Sequence, residues 1–198
     1  MARRNLERFR KKGLGKLESR MVESASRYGL ADGGRVLEIG GGIGALQAVL
    51  LERGADEGEI VEIVDAYEPY ARELARERGL EERTSFRVAD ILEEPDAVAA
   101  ADVVIMSRVV CCSPDGVVLT GRAAGLSRRV LVLSFPRDAV WVRAGLGLVN
   151  LGLRLARRSF RVFVHSPAAL ASAAVAEGLR RAGGGRGPIW EYAAFERS

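Results

Sequence analysis

Glu38 closes a short apolar run, Val36 to Ile39, and four glycines, Gly40, Gly41, Gly42 and Gly44, follow within five positions before an apolar stretch resumes at Ala45. Glycine at that density marks a backbone that turns sharply through positive φ and lets a ligand approach with no Cβ in the way. A carboxylate two residues ahead of the first glycine repels phosphate and attracts a cation. The bend therefore reads as a nucleotide cradle with an acidic entrance. The spacing Gly40-x-Gly42-x-x-Ala45 also meets a loose dinucleotide fingerprint, so a NAD-dependent oxidoreductase is the competing reading.

The pattern E-x-G-x-G-x-G resembles the first motif of class I S-adenosylmethionine-dependent methyltransferases. Across most of the chain it is similar to the magnesium-protoporphyrin O-methyltransferase group, with only this motif specific and the rest topology and spacing. The resemblance implies S-adenosylmethionine as cofactor and S-adenosylhomocysteine as product, ligands with positive charge and no phosphate. It also implies an acid at the end of the second strand, since a carboxylate can accept two hydrogen bonds from a vicinal ribose diol. Glu62 lies 22 residues beyond Gly40 and Asp65 lies 25 beyond it; Glu62 is slightly favoured, the loser being a surface residue. Asp90, with Ile91 beside it, matches the acid that takes the adenine amino group, or else N-caps a short turn. Ser107 opens the loop where the resemblance puts the transferred methyl, and Arg108, Arg137 and Trp141 are the candidate substrate contacts.

Two residues are candidates for catalysis. His165, the only histidine, follows the strand-like run Phe160 to Val164 and matches a histidine given a catalytic part in the similar group; a structural histidine is the other reading. Tyr28, by resemblance to small-molecule O-methyltransferases, reaches the site or packs in the core. The adjacent Cys111 and Cys112 lack a third donor nearby, so they read as small buried hydrophobes and no metal is expected.

The elements that would hold these residues follow from periodicity. Apolar residues from Leu6 to Ala25 recur at helical spacing, interrupted near Gly13 and Gly15. Strands are expected at Val36–Ile39, Glu59–Asp65, Thr84–Val88, Asp102–Met106 and Arg129–Pro136, with helices after Gly44, from Pro69 and over Leu119–Leu126. Residues 139–156 are the longest apolar stretch, read as a core helix or a lid in preference to a membrane-surface helix flanked by Arg137, Arg157, Arg158 and Arg161. A last helix over Ala168–Ala182, a glycine-rich connection at 183–187 and a closing strand Ile189–Glu196 complete the chain. The alternation predicts an α/β fold, a mostly parallel sheet with helices on both faces; the resemblance implies that the sheet is Rossmann-like and seven-stranded, with a C-terminal antiparallel hairpin. Residues 1–34 form a helical cap segment and 35–198 the methyltransferase domain, with 137–165 as substrate lid.

At 198 residues, 48% hydrophobic and 28% charged, the chain suits one domain with a sizeable core. Residues 1–20 carry eight basic and two acidic side chains, a net +6, leaving −2 for the rest. The basic character thus belongs to one segment, read as a solvated arm and not as a nucleic-acid face. An RNA-methylating or nucleic-acid-binding protein that uses this arm is the third reading. With no signal-like segment or apolar run long enough to span a bilayer, a cytoplasmic setting with at most peripheral membrane contact is expected. The expected function is transfer of a methyl group to a small apolar or aromatic molecule, oxygen favoured as acceptor; the sequence leaves the oligomeric state open.

Overall fold

The computed structural model describes residues 1–30, 33–94 and 96–197. Helices α1 (Ala2–Lys12) and α2 (Lys16–Gly29) lead into β1 (Arg35–Ile39), α3 (Ala45–Glu52) and β2 (Glu57–Glu62). Then come α4 (Glu68–Glu77), β3 (Thr84–Val88), β4 (Ala101–Ser107), α5 (Gly116–Gly125) and β5 (Ser127–Pro136). The chain closes with α6 (Val140–Leu155), α7 (Pro167–Ala176), β6 (Leu179–Arg186) and β7 (Trp190–Arg197).

The seven strands lie in the order β3-β2-β1-β4-β5-β7-β6. The first five are parallel, and β7 pairs antiparallel with both β5 and β6. The parallel part is what the alternation predicts, and the antiparallel hairpin is what the resemblance implied. Strands buried on both faces read as continuous apolar runs, and successive residues divide between two cores. Val36, Val103 and Val130 pack with α1 to α4 on one face. Leu37, Val104 and Leu131 pack with Leu119 of α5 and Leu170 of α7 on the other.

Four local expectations are corrected. Residues 1–20 are not a solvated arm: α1 buries Ala2, Leu6 and Phe9, and Arg10 bonds to Glu73 and Glu77 of α4. An amphipathic helix needs only one apolar side to dock, so its surplus of arginines concealed a packed element. The last helix ends at Ala176, and the glycines at 183–185 are strand and not connection. A Cβ at Gly184 would come within 2.7 Å of the Tyr192 carbonyl oxygen, and one at Gly185 within 2.7 Å of the Tyr192 ring. Close strand approach thus explains glycines that resemble a linker. Strand β2 ends at Glu62, three residues short of Asp65, which sits in a short 3-10 turn. Finally, α6 is not a core helix, since Val142 is its one buried residue, and residues 158–166 form neither helix nor strand.

The bend between β1 and α3 sets a stability prediction. Gly44 has φ of +72°, and a Cβ there would meet Ile60 Cδ1 at 2.3 Å. Gly44→Ala combines a left-handed backbone with overpacking and should cost about 2–4 kcal/mol, read as a lower midpoint in urea unfolding.

Candidate active site

In open parallel sheets the ligand crevice lies beyond the carboxyl ends of the strands where the strand order reverses. Here that point is between β1 and β4. Glu38 sits on β1 between Ile60 of β2 and Ile105 of β4 and is 2% exposed. One of its oxygens accepts the Gln47 amide at 2.9 Å. Burial pushes the Glu38 carboxyl up to about 8, against the hydrogen bonds from the Gln47 and Leu46 amides that favour its charged form, and the neighbouring Glu62 adds to the rise. A buried carboxylate of this kind is poised to ionise when a cation arrives.

Glu62 stands at the end of β2 across the bend. Its two oxygens accept the Gly42 amide at 3.0 Å and the Val64 amide at 3.2 Å, and each keeps a lone pair for another donor. Two more amides of the bend are also occupied. Gly40 donates to the Val61 carbonyl at 2.7 Å and Gly44 to the Gly41 carbonyl at 2.9 Å. Gly40, Gly42 and Gly44 have positive φ, and a Cβ at Gly41 would lie 2.9 Å from Glu38 Cγ. The glycines are thus required by the bend's own packing as well as by access.

Two cavities flank this bend and share Gly40, Glu62 and Arg108 in their walls. The first, about 260 Å³, is bounded by Glu38, the glycines, Ser107 and Tyr67, and roofed by residues of α1, α2 and their junction, among them Phe9, Leu14 and Glu18. The second, about 190 Å³, is lined by Ile63, Asp90, Ile91, Val109 and Cys112. Asp90 also accepts the Leu92 amide at 2.9 Å, so it caps a turn while facing a cavity.

Arg108, one of the candidate substrate contacts, makes long-range contacts that spacing did not reveal. Its backbone is left-handed at φ +61°, a conformation that is costly outside glycine and tends to occur where a loop is held for function. Its amide donates to Ser134 Oγ at 2.9 Å. Its guanidinium pairs with Glu18 at 2.7 Å and lies 5.2 Å from the centre of the Trp190 ring. It is also the wall between the first cavity and a third of about 310 Å³, lined by Leu17, Pro188, Ile189 and Trp190 with Lys16, Arg20 and Arg186 around them. Tyr67 was not anticipated; burial and Glu62 hold its phenol above the ordinary value.

The structure brings Glu38, Gly40, Gly41, Gly42, Glu62, Asp90, Ile91, Ser107 and Arg108 to the two cavities. Gly44 shapes the bend from behind and Asp65 is exposed outside it. His165 lies elsewhere: its Nε2 is 3.0 Å from the Ser113 carbonyl oxygen, and it packs on Gly116 and beside Phe163. The Tyr28 hydroxyl donates to the Ala182 carbonyl at 3.2 Å. Arg137 reaches the Pro188 carbonyl, and Trp141 is 55% exposed on α6. None of residues 137–165 lines either cavity.

No family model matches the chain, and no curated protein matches it. Solved structures do. Magnesium protoporphyrin IX methyltransferase (ChlM) from Synechocystis PCC 6803, determined with bound SAH, superposes with a TM-score of 0.72 at 21% identity over 92% of this chain and 81% of that one. The chain has the class I methyltransferase fold. An O-methyltransferase family protein from Burkholderia thailandensis gives a TM-score of 0.73 at 21% identity, covering 98% of this chain and 59% of that one. The class I methyltransferase fold also carries other chemistry: the [4+2]-cyclase SpnF superposes at 0.66 with 14% identity over 90% and 80% of the two chains. Function therefore has to be argued from the site and not from the fold.

Proposed function

We propose that this chain transfers a methyl group from S-adenosylmethionine to the anionic oxygen of a small apolar or aromatic molecule. The observation that carries the reading is the pair of acids, Glu38 and Glu62, on either side of a bend whose amides at positions 40, 42 and 44 are already bonded within the protein. Such a bend has three fewer donors to offer a diphosphate, and it sets beside one the carboxylate of Glu62 and the ionisable Glu38. That disfavours NAD and suits a cationic ligand without phosphate.

The donor set fits S-adenosylmethionine. Glu62 would hold the ribose diol, Asp90 and Ile91 the base in the second cavity, and Glu38 with the glycines the positively charged portion in the first. When bound, that cofactor supplies a methyl group already activated on a sulfonium. The protein is left with orientation and exclusion of water, worth roughly 7–11 kcal/mol, against roughly 3–5 kcal/mol for a positioned base. Neither His165 nor Tyr28 lines the cavities, so we place both outside the transfer step. An acceptor that arrives as a carboxylate or phenolate needs no base.

The third cavity supports such an acceptor. Its apolar walls end at Arg108, and Lys16 and Arg20 make no ion pair among the described residues. The RNA-binding reading is the alternative; it would use the exposed basic residues of α1, which is docked on α4 and is not a free arm. Calorimetry tests the proposal directly: S-adenosylhomocysteine should bind and NAD should give no heat at the same concentration. Binding of NAD alone would overturn it.

A further inference from the structure

Most surface helices turn their apolar side toward the protein, and α6 does the reverse. Asn150 fixes its orientation, donating to the Val162 carbonyl at 2.8 Å and accepting the Val162 amide at 2.9 Å. With Asn150 and the buried Val142 inward, Val140, Trp141, Leu148, Leu151 and Leu155 form a stripe on the opposite side. Their exposures are 86%, 55%, 71%, 52% and 77%. An apolar strip of this extent is uncommon on a soluble monomer unless something covers it.

Charge identifies the cover. Arg143 and Arg154 lie on α6 beside the stripe, Arg137 precedes the helix and Arg157, Arg158 and Arg161 follow it, and among residues 137–161 only Asp138 opposes them, paired to Arg143. Arg143 and Arg154, eleven residues apart, lie on the same edge of the helix. Arg157 even occupies a left-handed helix-end position, φ +52°, where glycine is the usual choice. A second copy docked symmetrically would set arginine against arginine, and RNA would leave the leucines and tryptophan in water. A surface of anionic lipid accommodates both the stripe and its charged border. We propose that α6 lies flat on anionic membrane, its stripe at the level where headgroups meet acyl chains. Among the described residues no helix is long and apolar enough to cross a membrane, so the contact is peripheral. This inference stands apart from the methyl-transfer reading.

Flotation of the full chain with vesicles at low salt tests it. Vesicles of phosphatidylcholine mixed with phosphatidylglycerol should carry the protein, and vesicles of phosphatidylcholine alone should not. In a Trp190→Phe background, Trp141 emission should shift to the blue on the mixed vesicles. Leu148→Asp with Leu151→Asp, both at exposed positions, should lower partitioning by about tenfold or more. Arg157→Gly keeps the left-handed turn and should weaken binding about fivefold with no loss of melting temperature. Failure to float with mixed vesicles, or variants that float as the parent does, would overturn the proposal. So would a concentration-dependent dimer, lost in the double aspartate variant and seen without vesicle binding, which would assign the stripe to a second copy.

Discussion

Glu62→Ala is expected to reduce the affinity for S-adenosylhomocysteine by about a hundredfold to ten-thousandfold. The carboxylate is 8% exposed, faces both cavities and would accept the two hydroxyls of the ribose. Hydrogen bonds to a charged group contribute about 1.5–3 kcal/mol each, so losing two costs about 3–6 kcal/mol. Alanine also frees the Gly42 and Val64 amides, which loosens the bend next to a cavity that water can enter. The fold should therefore survive with a small fall in melting temperature. Glu62→Gln keeps one acceptor oxygen and loses the charge, and its affinity should lie between the two. Calorimetry on variants checked by circular dichroism reads the series; an unchanged dissociation constant in folded Glu62→Ala would remove the ribose assignment.

The second large effect is on pH dependence. An ordinary glutamate loses its proton near 4.5, whereas burial holds the Glu38 proton to about 8. A cationic ligand selects the ionised form, so its binding must expel that proton at neutral pH. The dissociation constant should fall by up to about tenfold for each pH unit up to about 8 and then level off. Glu38→Gln should bind weakly and without this slope, and a slope that persists in that variant would point to another group. Stability runs the other way. Between pH 4.5 and about 8 the folded protein holds a proton that the unfolded chain has released, so stability without ligand declines as pH rises through that window. Glu38→Gln carries no such penalty and should melt above the parent at pH 8 and higher. Below pH 4.5, where the proton is bound in both states, the two should converge.

What could be read in advance was whatever local chemistry dictates. Glu38 with its glycines, and Glu62 at 22 residues beyond Gly40, are set by a strand, a bend and a strand end that are near in sequence. The succession of the five parallel strands along the chain followed from their apolar runs. Residues that matter through long-range packing were not legible. Arg108 touches Glu18 and Trp190, 90 residues before it and 82 after it, and no periodicity reports that. The glycines of β6 resembled a linker because the aromatic ring that needs their flatness lies on the next strand. Residues 2–12 looked like a charged arm because Leu6 and Phe9 are few among arginines, although a docked helix turn needs no more than that. His165 stood out only for being the sole histidine, which says nothing about where its ring points.

The bend has one further consequence. Because the protein itself satisfies the amides at 40, 42 and 44, the shape of the turn exists without any visitor. On the proposed reading, discrimination rests on two exchangeable side chains, at positions 38 and 62, set on that frame. Such an arrangement lets a lineage retune which nucleoside it admits by altering single residues while the scaffold beneath stays as it was.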